Sequence, residues 1–222
     1  EPIIPPKISY PIKVPYEYTV QNHKDYDLRY WGKLFLCEGL LKFFRVSSLR
    51  SLRRVGKKIW GSEESNPAFI YEFSKKDAFK VYRPLDKNNQ KFRGQNNGDV
   101  LEGYDQLPDR GTHLIVTKSM KDVMVLRRMG YLAVAPTSEN SRKALLNKVS
   151  ELNQRFDKIY MLFDNDNPGV IASHKLHLST GWEEISFPVW MTKDSSDLVS
   201  KCQNYFALTE FFSIFGLNKY HI

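Results

Sequence analysis

Residues 158–181 read KIYMLFDNDNPGVIASHKLHLSTG, and this stretch decides the fold. Its first part, KIYMLFD (158–164), is an apolar run of strand length that stops on an acid, Asp164. Its last part, PGVIASHKLHLSTG (168–181), reads as a helix: Pro168 sits in the first turn, where no backbone donor is needed, and Gly181 lies past the end. A strand handing over to a helix through a short polar loop is half of a parallel β–α–β unit, and the alternation continues on both sides. Upstream, HLIVTK (113–118) is a strand, KDVMVLRRMG (121–130) a helix closed by Gly130, YLAVAP (131–136) a strand and SRKALLNKVSEL (141–152) a helix. Downstream, EISFPVW (184–190) is a fourth strand, and KDSSDLVSKC (193–202) opens a last helix that Ser195 or Ser196 could cap. Strands and helices alternating at these lengths predict an α/β unit built on a parallel sheet covered on both faces. Its ligand site should lie at the C-terminal edge of the strands.

The loop Asp164-Asn165-Asp166-Asn167-Pro168-Gly169 falls at that edge. Two carboxylates two residues apart on a tight loop can converge on a hard divalent cation and leave sites open for water and phosphate oxygens. The alternative is a solvated turn, since Asp and Asn are ordinary turn residues. Asp194 and Asp197 follow the fourth predicted strand and Asp122 follows the first, which puts acids at three strand ends of one sheet edge. No segment has the twelve-residue pattern of a calcium loop. His113, His174 and His177 lack metal-pair spacing and are expected in packing or surface roles, and no Ser-His-Asp arrangement can be assembled.

The 222 residues, 41% hydrophobic and 26% charged, suit a folded chain of one large or two small domains rather than a disordered one. Cys37 and Cys202 are too few for a disulfide framework or a four-cysteine zinc site and are expected in the core. The apolar runs fall short of the roughly 20 residues of a membrane span. The net charge of +8 is unevenly placed: residues 1–93 carry +9 and residues 94–222 carry −1. Tyr30, Trp31, Phe43, Phe44, Trp60 and Tyr82 lie among those basic residues. Such a half can track a nucleic-acid strand, with cations on phosphates and ring faces on unpaired bases; Arg53 and Arg54 are the candidates for that contact. The alternative is a solvated basic face over an ordinary aromatic core.

Within that half, DLRYWGKLFLCEGLLKFFRV (27–46) predicts a helix–turn–helix pair broken at Gly32 and Gly39. KKIW, AFIYEF and AFKVYRPL, from residue 57 on, predict an antiparallel meander, and DKNNQKFRGQNNGDV (86–100) a loop with room for a short strand. NYFALTEFFSIFGLNKY (204–220) has aromatics at helical spacing, suited to core packing or to docking on a further domain. Five of the 11 prolines lie in the first 15 residues, so the opening is expected to be an extended arm or linker within a longer protein.

HLIVTKSMKDVMVL, VAPTSEN, IYMLFDNDNPGVIASHKL and KDSSDLV, in this order over residues 113–200, resemble the Toprim domain shared by DnaG-type primases, topoisomerases and some nucleases. Upstream, DLRYWGKLFLCEGLLKFFRV, VYRPL and KFRGQNNGDVLEGYDQLP are similar to the basic subdomain that precedes Toprim in DnaG-type primases, most of all the phage type. The resemblance implies a Pro-rich arm (1–24), a basic mixed α/β N-terminal subdomain (25–110), a Toprim domain with a parallel four-stranded sheet flanked by helices (111–202), and an aromatic helical segment (203–222). It also implies Asp164, Asp166 and Asp194 as ligands of Mg²⁺ or Mn²⁺, with Lys118, Asp122, Asp164 and Asp166 at the reacting centre and Lys91 and Arg93 on nucleotide phosphates. Asp197 has the weakest claim and could simply cap the last helix. The chain departs from the pattern at Lys118-Ser119, where the first Toprim strand usually ends in Glu-Gly. An ammonium there could pair with Asp164 or Asp194, or hold a triphosphate as a point charge.

The implied activity is that of a primase core, a DNA-directed RNA polymerase. It makes short RNA primers on a single-stranded DNA template from ribonucleoside triphosphates, beside a replicative helicase in the cytoplasm (of the host cell, for a phage protein). The alternatives are a metal-dependent Toprim nuclease and a single-strand-binding module that lost catalysis with the missing Glu.

Overall fold

The computed structural model describes residues 15–75, 77–88, 90–95, 100–137, 142–188, 190–217 and 219–220. The basic half builds one antiparallel sheet and a helix pair: β1 (Tyr16–Gln21), α1 (Asp25–Gly32), α2 (Glu38–Phe43), β2 (Val46–Arg54), β3 (Lys57–Trp60), β4 (Phe69–Glu72), β5 (Phe79–Tyr82) and β6 (Phe92–Gln95). The strand order is β1-β2-β4-β5-β6, with β3 also paired to β2. Two strands are additional to the sequence expectation. β1 lies in the stretch read as an arm, of which residues 1–14 fall outside the described residues. β2 reads VSSLRSLRR: Leu49 and Leu52 are buried while Arg50, Arg53 and Arg54 face water, so an apparent charge run is a strand seen from its polar positions. Gly39 sits inside α2 instead of ending a helix; the break falls between Gly32 and Glu38, where Phe35 takes a positive φ of 56°.

The second sheet has the order β11-β10-β8-β9-β7. Its elements are β7 (Leu101–Glu102), β8 (Gly111–Val116), α3 (Met120–Arg128), β9 (Ala133–Pro136), α4 (Arg142–Leu146), α5 (Val149–Arg155), β10 (Phe156–Met161), α6 (Asn167–Thr180), β11 (Glu183–Glu184), α7 (Ser195–Cys202) and α8 (Phe206–Ile214). The four expected strands are parallel, but a fifth, β7, runs antiparallel to β9, so the sheet is mixed. A two-residue strand leaves no periodicity to read. β11 pairs over Glu183 and Glu184 only, and residues 185–188 of the strand expected over 184–190 are not part of it. The single helix expected over 141–152 is two short ones, separated at Asn147-Lys148.

Helices cover both faces of this sheet. On one side α3, α7 and α8 join α1, α2 and the first sheet in a continuous core that includes Trp31, Leu41, Phe69, Val123, Leu198 and Phe212. Each fully buried side chain of this kind stabilises by roughly 1.5–3 kcal/mol. On the other side Leu114, Val116, Leu145, Leu152, Met161 and Leu176 pack under α4, α5 and α6. Cys37 and Cys202, expected inside, are exposed: Cys37 stands at the start of α2, where Leu36 and Leu41 take the core positions, and Cys202 ends α7. Among the described residues no helix is long and apolar enough to cross a membrane.

One topological fact places the site. The neighbouring strands β8 and β10 send their helices, α3 and α6, to opposite faces of the sheet. Their C-terminal ends therefore open a crevice, the position where parallel sheets bind ligands.

Candidate functional site

β8 runs out through Thr117 to Lys118 and Ser119, and β10 through Leu162 and Phe163 to Asp164. Asp164 is 2% exposed. Its Oδ2 accepts from Nζ of Lys118 and, at 3.2 Å, from Nζ of Lys193. Its Oδ1 is buried with no hydrogen-bond partner among the described residues. Lys193 also donates to Asp166 Oδ2 at 2.7 Å, while Asp166 Oδ1 accepts the Gly169 N–H at 3.0 Å and caps α6. The Lys193 ion pair, with the Gly169 bond, holds the Asp166 carboxyl below its ordinary range, and Asp166 in turn raises Lys193. The glycine in D-x-D-x-x-G has a steric cause: a Cβ on Gly169 would lie 2.1 Å from the Asp164 carbonyl oxygen. Asn165 ties this loop to the next strand end by donating to the carbonyls of Phe187 and Thr192.

Asp194, not Ser195 or Ser196, caps α7. Its Oδ1 accepts the Asp197 N–H at 2.6 Å and the Ser196 hydroxyl at 2.7 Å. Asp197 is inside the first turn of α7, accepting from Thr192 Oγ1 at 3.0 Å and pairing with Lys201 at 2.7 Å. Asp122 is buried and joins α3 to α7: Oδ2 accepts from Ser119 Oγ at 2.6 Å and Oδ1 from the Ser196 N–H at 3.1 Å. Burial pushes its carboxyl up to about 6, with the Asp194 charge adding to the shift and Lys121 opposing it. For Lys121, burial works against the charge, yet the fields of Asp122 and Asp194 leave it above its ordinary value.

These strand ends face the first sheet across a cavity of about 270 Å³. Tyr82, Lys80, Lys91 and Phe92 form one wall; Lys118, Lys121, Asp122, Asp164, Lys193 and Asp194 form the other. A cleft of about 500 Å³ shares Lys121, Lys193 and Asp194 and continues past Tyr30, Lys33 and Lys201. Lys80 was missed in the sequence, although a lone lysine inside the apolar run AFKVY is the signature of a buried, partnered cation. Its Nζ donates to Glu102 Oε1 at 2.8 Å and to the Thr137 carbonyl at 2.9 Å, and lies 4.4 Å from the Phe92 ring centre. Glu102, fully buried, accepts the Met120 N–H with its other oxygen. This pair joins β5 of the first sheet to β7 and the start of α3 in the second.

Of the residues singled out in the sequence, Lys91, Lys118, Asp122, Asp164 and Asp194 meet in the cavity. Asp166 is beside it, engaged by Lys193 and the helix it caps. Arg93 is on the opposite face of β6 from Phe92, its guanidinium 4.6 Å from the Trp60 ring and 2.7 Å from Gln90. Arg53 lines a separate groove of about 500 Å³ with Arg50, Lys58 and Tyr18, and Arg54 lies 5.4 Å from the Tyr16 ring. Among the described residues no three His, Cys, Asp or Glu side chains are grouped to hold a metal ion. The acids are instead drawn onto lysines and helix ends. The donor chemistry nevertheless suits a hard cation, because Asp164 presents a buried oxygen to which no described residue donates, and Asp194 lines the same cavity.

No protein-family model matches the chain, and no curated protein matches its sequence. Solved structures do. A bacteriophage T7 complex of lagging-strand DNA polymerase with primase domains, bound to an RNA/DNA hybrid and dTTP, contains a chain that matches with a TM-score of 0.61 at 13% identity, over 93% of this chain and 94% of that one. The DnaG catalytic core matches with a TM-score of 0.61 at 14% identity, over 86% and 74% of the two chains. The DnaG primase catalytic domain bound to single-stranded DNA matches with a TM-score of 0.58 at 14% identity, over 86% and 73%. The chain has the fold of the T7 and DnaG primase catalytic cores.

Proposed function

We propose that the chain is the RNA-polymerase core of a DnaG-type primase, making short RNA on a single-stranded DNA template from ribonucleoside triphosphates. The observation that carries this reading is the cavity itself, where the basic wall of the first sheet meets the acidic strand ends of the second in a chain folded like primase cores. Lys91 and Lys121 are point charges suited to a triphosphate, while Lys118 and Lys193 are engaged by Asp164. Tyr82 and Phe92, stacked with ring centres 5.1 Å apart, give the same cavity an aromatic wall against which a base can rest. Asp164 and Asp194 would hold Mg²⁺ or Mn²⁺, which when bound neutralises charge on the reacting phosphate. Asp122 positions rather than reacts, since both its oxygens are used to hold Ser119 and the start of α7. The protein's own contribution is alignment of the 3′-hydroxyl and α-phosphate and offset of their charge. Arg50, Arg53 and Arg54 on β2 and Lys58 on β3 suit template phosphates, and a replicative helicase is the partner that would supply single strands.

The two lysines on Asp164 favour a second reading, a module that binds single strands without synthesis. One assay separates the two. Unprimed single-stranded circles are incubated with labelled ribonucleoside triphosphates and Mg²⁺ or Mn²⁺; a primase yields alkali-labile oligomers that need the template. Retention of the circles with no labelled product under either metal would establish the binding module. Cutting of labelled DNA without nucleotides would establish a nuclease.

A further inference from the structure

Resting on that reading, we infer that Lys118 and Lys193 are internal counter-cations of Asp164, so that the site takes one divalent cation, on Asp164 Oδ1 and Asp194, and no second one. Asp164 Oδ2 is occupied by two ammonium groups, whereas Oδ1, equally buried, has no partner among the described residues. Asp166, which its spacing would make a ligand, already has both oxygens engaged: Oδ2 pairs with Lys193 at 2.7 Å and Oδ1 caps α6 through Gly169. Asp194 uses Oδ1 for its cap and lines the cavity, so Oδ2 lies outside those bonds.

Phosphoryl-transfer sites with two ions hold them roughly 3.5–4 Å apart between shared carboxylates. Here a second ion on Asp164 Oδ2 would face the ammonium groups of Lys118 and Lys193 at contact distance, beside a carboxylate almost wholly out of water, and like charges repel. The positive charge that a second ion would bring is already built into the chain. Asp166 is then a positioning residue: it holds Lys193 against Asp164 and starts α6.

The test counts Mn²⁺ by electron paramagnetic resonance on the purified chain, without template or nucleotide, after subtracting the binding that remains in Asp164→Asn. The wild type should take one ion. Asp166→Asn should also take one, since Asn caps a helix as Asp does. Lys118→Glu, which trades the counter-cation for a ligand, should take two. Two ions or none in the wild type, loss of the ion in Asp166→Asn, or one ion in a folded Lys118→Glu would each overturn the inference. If Lys118→Glu fails to fold by circular dichroism, the wild-type and Asp166→Asn counts still decide it. A chain that primes but binds two ions refutes this inference alone. A chain that binds one ion and never primes refutes the proposed function and leaves the ion count standing.

Discussion

Replacing Lys80 by Met removes the cation from a carboxylate that has no access to water. Glu102 is fully buried, and the Lys80 side chain is 10% exposed, so solvent cannot take over the missing charge. Breaking such a pair from one side costs about 3–5 kcal/mol, a third or more of the roughly 5–15 kcal/mol that holds a domain together. The cost should depend on pH in a defined direction. Burial already raises the Glu102 carboxyl above its ordinary 4.5, and Lys80 is the main group opposing that rise. Without Lys80 the folded-state value climbs further, so between the unfolded and folded values the folded chain binds the extra proton. Stability then falls as pH rises through that window, and the loss is largest above it. Urea unfolding followed by circular dichroism should therefore show most of the deficit at pH 8. Near pH 4.5 only about 1 kcal/mol should remain, for the missing bond to the Thr137 carbonyl. Lys80→Met with Glu102→Gln should recover most of the stability, because Gln still accepts the Met120 N–H. Equal midpoints for wild type and Lys80→Met at pH 8, or a deficit independent of pH, would refute the reasoning.

Arg53→Glu with Arg54→Glu should weaken binding to single-stranded DNA and flatten its salt dependence by about 0.7 in log–log slope for each phosphate no longer neutralised, with the melting temperature little changed; filter binding from low to high salt checks it. Asp122→Asn should stabilise the metal-free chain at pH 8 by on the order of 2 kcal/mol, because a carboxyl raised from 3.8 to about 6 destabilises the fold once it is ionised. That gain should shrink as pH falls through about 6 and vanish below about pH 3, where folded and unfolded chains both carry the proton, and thermal melts in chelator at about pH 8 and pH 3 check the sign. Gly169→Ala should lower the urea midpoint by the equivalent of about 1–3 kcal/mol and weaken Mn²⁺ binding, since the methyl group must displace the Asp164 backbone. An unchanged midpoint would mean the loop has slack.

The second sheet was legible because each of its parallel strands is an apolar run followed by a helix with a readable stop, such as Gly130 at φ 90° and Gly181 at φ 73°. β2 was not, because a strand buried on one side through Leu49 and Leu52 shows arginines at its other positions. β7 was not, because Leu101-Glu102 is too short to have a period. The site was legible in part. Acids at strand ends mark a sheet edge, so Asp122, Asp164 and Asp194 could be found from spacing alone. What spacing does not report is which oxygen is already taken. Asp166 and Asp194 both turned out to begin helices, and Lys193 turned out to hold two acids at once. Lys80 and Glu102 meet only because β5 and β7 come together in space, 22 residues apart in sequence.

Whether the Asp164 cavity makes RNA is read directly by comparing wild type with Asp164→Asn in primer-free synthesis on single-stranded DNA. Products from γ-labelled and α-labelled ribonucleoside triphosphates are resolved on a denaturing gel with Mg²⁺ or Mn²⁺. Wild type should give short template-dependent oligomers carrying the γ-label, because an initiating nucleotide keeps its own triphosphate. A folded Asp164→Asn should give none. Wild-type chain that binds the template yet makes no oligomer with either metal, or an Asp164→Asn variant that primes as well as wild type, would contradict it.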